Sequence, residues 1–155
     1  MKNAFCYLSP ISYIRIVEED GAIIGVDFTD KIDQDQIVNE SKLIKKTYQQ
    51  LSEYFEGTRK EFDINIELRG TPFQLQVWKQ LLKIPYGKTA SYKWVAENID
   101  CPKGYRAVGM ANNRNPISII VPCHRVIGHD GSLVGYGGGL DTKKKLLSLE
   151  HENEG

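Results

Sequence analysis

Leu68-Arg69-Gly70-Thr71-Pro72 divides the chain into a first stretch that mixes strand and helix periods and a second that is mainly helical and more basic. A period of two buries one face of a strand, and a period of three to four buries one face of a helix. Ahead of the divide, residues 4–8, 12–17 and 23–28 are short β-rich runs broken by Ser9-Pro10 and Asp20-Gly21. Ser12, Ile14 and Ile16 alternate with Tyr13, Arg15 and Val17, as in a sheet covered on one face. From about Gln34 to Phe55 the period turns helical through Ile37, Leu43, Ile44, Tyr48, Leu51 and Phe55, and Gly57 stops it. Phe62, Ile64 and Ile66 alternate again and predict one more strand.

Beyond the divide, Thr71 is placed to cap a helix that starts at Pro72. Phe73, Val77, Trp78, Leu81 and Leu82 form its apolar face, and Ile84-Pro85-Tyr86-Gly87 ends it. Ser91 then caps a short helix carrying Trp94, Val95 and Ile99. Cys101-Pro102-Lys103-Gly104 turns the chain into a second helix, from Tyr105 to about Asn113, with Ala107, Val108 and Ala111 inward. The pair is a helix-turn-helix candidate. Ala107, Gly109 and Ala111 allow a helix backbone to approach a nucleic-acid groove closely, and equally well another helix. After Pro116 an extended apolar run leads to Pro122. Asp130-Gly131 predicts a hairpin turn, Tyr136-Gly137-Gly138-Gly139 a loop, and Asp141 the cap of a last helix. Leu146, Leu147 and Leu149 face inward on that helix, and Glu150 lies near its end.

Net charge sharpens the division. Residues 70–146 hold eleven Lys or Arg and four Asp or Glu, whereas the rest of the chain holds nine and sixteen. The formal net charge of zero thus conceals a basic part with the field that suits nucleic acid. No apolar run approaches the roughly 18 residues of a membrane span, and the first residues lack the long apolar region of a secretory signal. Cys6, Cys101 and Cys123 are too few for a disulfide framework and form no Cys-x-x-Cys, which argues against a structural metal site and fits a reducing, cytoplasmic setting.

Cys123-His124, within Ile119-Ile120-Val121-Pro122-Cys123-His124-Arg125-Val126-Ile127, carries the chemistry. Thiolate is the reactive form of cysteine, and neighbouring cations or proton acceptors make it available. A lone cysteine in an apolar run is nevertheless more often an inert core residue. Neighbours on a strand point to opposite faces, so only a turn at Pro122 brings thiol and imidazole to one site. From these residues alone, a damage-binding protein without chemistry, a helix-turn-helix regulator and a cysteine hydrolase all stay open.

Five separated blocks give the chain a resemblance to the O6-alkylguanine-DNA alkyltransferases. They are Gly70-Thr71-Pro72-Phe73 through Trp78 to Ile84-Pro85-Tyr86-Gly87-Lys88-Thr89; Ser91-Tyr92; Arg106-Ala107-Val108-Gly109 with Asn115-Pro116; Pro122-Cys123-His124-Arg125-Val126 with Gly135-Tyr136-x-Gly138-Gly139; and Leu146-Leu147-x-Leu149-Glu150. The first seventy residues resemble the family in layout only. The resemblance implies an α+β fold: a supporting N-terminal unit over 1–69, with a small antiparallel sheet and a helix, and a mainly helical unit over 70–155, with a winged helix-turn-helix that binds DNA and accepts the alkyl group.

It also implies roles. Cys123 would be the acceptor nucleophile. His124 would take the thiol proton through a water, Glu150 would orient His124, and Asn115 would brace the active-site turn. Tyr92 would donate to guanine N3, and Tyr136 would wall the pocket. The carbonyls of Cys123 and Val126 would read the guanine amino group, and the Gly137 N–H would meet O6. Arg106 would fill the space left by a flipped base. Ala107, Gly109 and Ala111 would approach the minor groove, with Lys93 and Asn112 as backbone contacts. The implied partner is double-stranded DNA carrying O6-alkylguanine, bound without sequence preference by a monomer. The product would be a thioether, formed once per molecule with no cofactor. O4-alkylthymine as a second substrate stays open.

Overall fold

The computed structural model describes residues 2–30, 39–133, 136 and 139–154. These form two compact units, Met1–Leu68 and Arg69–Gly155. Small antiparallel sheet and packed helices together make an α+β protein. None of the helices described is long and apolar enough to cross a membrane.

In the first unit, β1 (Lys2–Leu8), β2 (Tyr13–Glu19) and β3 (Ala22–Thr29) make an antiparallel meander. Asp20 and Gly21 both have positive φ, 52° and 85°, the two-residue turn whose twist matches a hairpin. Ile14, Ile16, Ile23 and Val26 are buried, together with Ile44, Leu51 and Tyr54 of α1 (Lys42–Phe55). That helix begins later than its periodicity suggests, because the Ser41 hydroxyl accepts the Ile44 N–H at 3.2 Å. The preceding Asn39 N–H is taken by the Ala4 carbonyl at 3.1 Å. Residues 31–38, Ile37 among them, lie outside the described residues. The strand expected over 62–66 is corrected to a single bridge between Ile66 and Ile23. Phe62, Ile64 and Ile66 do alternate with exposed neighbours, but the segment meets β3 at one point and forms no ladder.

In the second unit, α2 (Pro72–Leu81) starts in a full capping box: Thr71 Oγ1 accepts the Gln74 N–H, and Gln74 Oε1 accepts the Thr71 N–H. Val77, Trp78 and Leu81 are buried, whereas Leu82 stays exposed. The indole N–H of Trp78 donates to the Ala111 carbonyl at 2.9 Å, fixing α2 to α4 (Tyr105–Asn113). A short β4 (Ala90–Ser91) leads into α3 (Tyr92–Asn98), capped by Ser91. The chain turns at Cys101–Gly104 and enters α4, completing the helix-turn-helix. On α4, Val108 and Ala111 are buried, but Ala107 faces outward.

Three further expectations need correction. The run after Pro116 is a tight loop, not an extended segment: the Val121 N–H returns to the Ile117 carbonyl at 3.0 Å, and Ile119 has φ 72°. The wing carries its expected turn but no antiparallel ladder among the described residues. β5 (Val126–Ile127) pairs in parallel with β4, while Asp130-Gly131 makes a turn closed by Gly128 N–H on the Ser132 carbonyl. Finally, the N-cap of α5 (Leu140–Glu152) is Gly139, with φ 95°, and Asp141 lies in the first turn paired with Lys145. A positive φ there suits glycine.

The capping box gives a direct check on the second unit. Both tryptophans, Trp78 and Trp94, lie in it, so tryptophan fluorescence in urea follows its unfolding. Thr71→Ala should cost about 1 kcal/mol, while Thr71→Ser should stay near the parent; equal losses from both would remove the cap from the account.

Candidate active site

The nucleophile candidate sits where the backbone is most constrained. Asn115 holds the loop that precedes it: its Nδ2 donates to the carbonyls of Ile117 (3.3 Å) and Val121 (2.8 Å), and its Oδ1 accepts the Ile117 N–H (3.0 Å). Within this brace Ile119 is buried in a left-handed conformation that costs a β-branched residue of order 1–3 kcal/mol. The chain then passes Pro122 into a single 3₁₀ turn, Cys123–Arg125, whose three side chains are all buried. In such a turn the two side chains are not held on opposite faces as they would be on an extended strand.

Glu150 reaches the turn from α5. Its Oε2 lies 2.6 Å from His124 Nε2 and 3.1 Å from Arg125 Nη2. Its Oε1 accepts from Arg125 Nε at 2.8 Å and from the Gly87 N–H at 3.1 Å. Arg125 Nη1 donates to the Ile84 carbonyl at 2.7 Å, and the guanidinium lies over the Tyr86 ring, 5.6 Å from its centroid. Burial alone would raise the Glu150 carboxyl; the hydrogen bonds from His124 and Arg125 and the Arg125 charge outweigh it and hold the group well below the usual carboxylate range.

An ionised carboxylate only accepts hydrogen bonds. His124 Nε2 therefore carries a proton toward Glu150, and the ring's lone pair is on Nδ1. That atom is buried and has no hydrogen-bond partner among the described residues. Burial depresses the imidazole's proton affinity; Glu150 opposes this, and Arg125 and Lys143 reinforce it. The Cys123 thiol is pushed up by burial, against the pull of Asn115, Lys143 and Tyr136. A protonated thiol thus rests beside a neutral imidazole.

Two phenols and one ammonium complete the surroundings. Tyr92 is half-buried, and burial, then the negative charge of a Cys123 thiolate, raises its hydroxyl's pKa. Tyr136 is buried; its hydroxyl lies near Cys123 and Ser118 without a well-formed hydrogen bond to either. Lys143 is fully buried and donates from Nζ to the Val126 carbonyl at 2.5 Å. The ammonium lies 5.8 Å from the centroid of the Tyr92 ring. Burial lowers Lys143 to about 8 although a Cys123 thiolate opposes it. Lys143 sits in a run of three lysines with no distinguishing chemistry. Its spacing to Leu146 and Glu150, three and seven residues on, is the sequence signal that places it on their face.

The expected site residues separate into groups. Asn115, Tyr92 and Tyr136 gather around the Cys123 thiol, and Glu150 binds the imidazole of the next residue, His124. The Val126 carbonyl is bound to Lys143 and that of Cys123 to Asn112. Gly137 lies outside the described residues. Arg106, Ala107 and Lys93 are exposed. Asn112 and Ala111 are not surface contacts: both are buried, and Asn112 Nδ2 donates to the Cys123 carbonyl at 3.2 Å. Gly109 turns toward Tyr92, where a Cβ would stand 3.8 Å from the ring. Met110 and Arg114 instead share the exposed face of α4 with Arg106 and Ala107. Beside Tyr92 opens a groove of about 460 Å³ lined by Lys93, Pro102, Tyr105, Gly128 and His129. No group of three or more metal-ligating side chains occurs among the described residues.

Known proteins resemble this chain in sequence and in fold. Residues 5–68 match the model of the 6-O-methylguanine DNA methyltransferase ribonuclease-like domain, and residues 72–152 match that of the same family's DNA binding domain. The methylated-DNA–protein-cysteine methyltransferase of Methanosarcina barkeri is 47% identical over 150 residues, 94% of each chain. That of Mycolicibacterium paratuberculosis is 45% identical over 148 residues, 94% of this chain and 90% of its own. Among solved structures, Mycobacterium tuberculosis O6-methylguanine methyltransferase superposes with a TM-score of 0.89 at 40% identity, covering 99% of this chain and 94% of its own. A structure of Mycobacterium tuberculosis OGT in complex with DNA gives 0.88 at 41%, covering 98% and 93%. With both domain models matched in order and relatives aligned over nearly their full length, the chain belongs to the methylated-DNA–protein-cysteine methyltransferase family.

Proposed function

We propose that this protein repairs DNA by moving the alkyl group of O6-alkylguanine irreversibly onto Cys123, once per molecule. The observation that carries the reading is the 3₁₀ turn in which a buried thiol is followed directly by a buried imidazole whose Nδ1 is unengaged among the described residues and whose Nε2 is fixed by Glu150. The thiol proton passes to His124 through a water, and the sulfur lone pair forms the S–C bond while the C–O6 bond breaks. The bonding electrons leave with guanine, and Tyr92 donates to N3 as charge develops there. The imidazolium gives its proton back through solvent to the departing guanine anion, so thiol plus alkylguanine becomes thioether plus guanine with no net proton change, and no cofactor takes part. Burial keeps Tyr92 protonated and able to donate. The Lys143 charge favours the thiolate at the moment it forms.

A thiol this buried is reached only by a base that has left the duplex. The exposed face of α4, with Lys93 of α3, is the contact surface: Arg106 fills the vacated stack, Ala107 allows close approach in the minor groove, and Arg114 and Lys93 meet phosphates. Contacts of this kind read the backbone and the damage, so binding is nearly blind to sequence. The Gly137 N–H at guanine O6 and the carbonyls of Cys123 and Val126 at its amino group complete base recognition. The second unit, over 70–155, binds DNA and accepts the alkyl group, and the first, over 1–69, supports it. The protein acts as a monomer, in a reducing cytoplasm that keeps Cys123 free.

Radiolabelled methyl transfer from O6-methylguanine duplex should saturate at one label per protein. Cys123→Ala should abolish it while duplex binding persists; transfer by that variant would end the assignment. Arg106→Ala should slow repair of duplex at least tenfold more than reaction with free O6-benzylguanine. Equal slowing of both would refute the finger role.

A further inference from the structure

Arg125 has no part in the transfer outlined above, yet it is buried and committed to the site from three sides. It spans both oxygens of Glu150 (2.8 and 3.1 Å), holds the Ile84 carbonyl (2.7 Å) and covers the Tyr86 ring. Together with Gly87 and His124 it gives the carboxylate four donors, which fills its acceptor capacity. A carboxylate paired with an imidazole alone raises the imidazole's proton affinity and draws it toward imidazolium. A guanidinium on the same carboxylate cancels that field.

We propose that Arg125 is a positioning residue of the transfer: by neutralising Glu150 it keeps His124 an unprotonated base, with its lone pair on Nδ1, until the thiol proton is released. The inference rests on the alkyl-transfer reading and extends it. The charged and titratable groups around His124 support it as a set. Glu150 contributes one negative charge; Arg125 on the 3₁₀ turn and Lys143 on α5 contribute two positive ones; Tyr86, beside Glu150 and Arg125, and Cys123 are neutral at rest. The surplus is positive, and burial acts in the same direction. Without Arg125, the Glu150 charge would act on the ring undiminished, and His124 would be protonated at a higher pH.

The sign of the test follows. Transfer requires neutral His124, so the rate falls as pH drops through the imidazole's titration. Free O6-benzylguanine isolates this step from DNA binding. In single-turnover assays from pH 5.5 to 8.5, Arg125→Met should move the acid limb up by about one pH unit, with a roughly tenfold loss on the limb. Arg125→Lys, which keeps the charge, should bring the limb back toward the parent position even if the plateau rate drops. Coincident limbs for parent and Met variant, or equal shifts for Met and Lys, would overturn the proposal. Should Arg125→Met fail to fold, imidazole nitrogen NMR of the parent decides: neutral His124 protonated at Nε2 at pH 7 is the expected result, and imidazolium at pH 7 overturns it. A parent that never transfers an alkyl group contradicts the proposed function, and the NMR result still judges Arg125 separately.

Discussion

One buried carboxylate ties the site together. Glu150 on α5 is bound to the 84–87 loop through Gly87 and to the 3₁₀ turn through His124 and Arg125, and Arg125 passes the connection on to Ile84. A buried charge is tolerated only when donors surround it, and breaking such a pair by removing one partner costs about 3–5 kcal/mol. Whole domains are stable by only about 5–15 kcal/mol. Removing one partner from the group that orients the candidate base therefore threatens the folding of the second unit as well. Catalytic geometry and stability are not separable here.

The thiol depends on a second, smaller balance. Burial keeps it protonated at rest, while Asn115, Lys143 and Tyr136 lower the cost of the thiolate. Asn115 serves twice, because the three hydrogen bonds that stabilise the loop also hold Ile119 in its left-handed conformation. A resting thiol that burial keeps protonated suits a protein that must spend its nucleophile on one target. An exposed thiolate would react with any electrophile it met.

Much of this was legible in the sequence wherever the determinant is local. Thr71, Pro72 and Ser91 state their helix starts through neighbours within three residues, and Asp20-Gly21 states its turn through backbone preference. The contact between His124 and Glu150 was legible through family blocks. Periodicity alone left open whether Cys123 and His124 share a site, since a turn at Pro122 had to be assumed. What escaped was set by tertiary contacts. Lys143 looks like its two neighbours until the helix phase places it inward. Asn112 is polar and sits on the helix that carries Arg106, yet it faces the core, where Cys123 needs a donor. Asp141 fits a cap by composition, but Gly139 supplies the geometry. The segment 62–66 has the alternation of a strand and touches β3 at one point only.

The most direct measurement is peptide mapping by mass spectrometry after reaction with a duplex containing one O6-methylguanine. The account predicts a single added methyl on the peptide carrying Cys123, none on those carrying Cys6 or Cys101, and plain guanine restored in the DNA. An unmodified Cys123 peptide alongside repaired DNA, or a methyl on another residue, would contradict it.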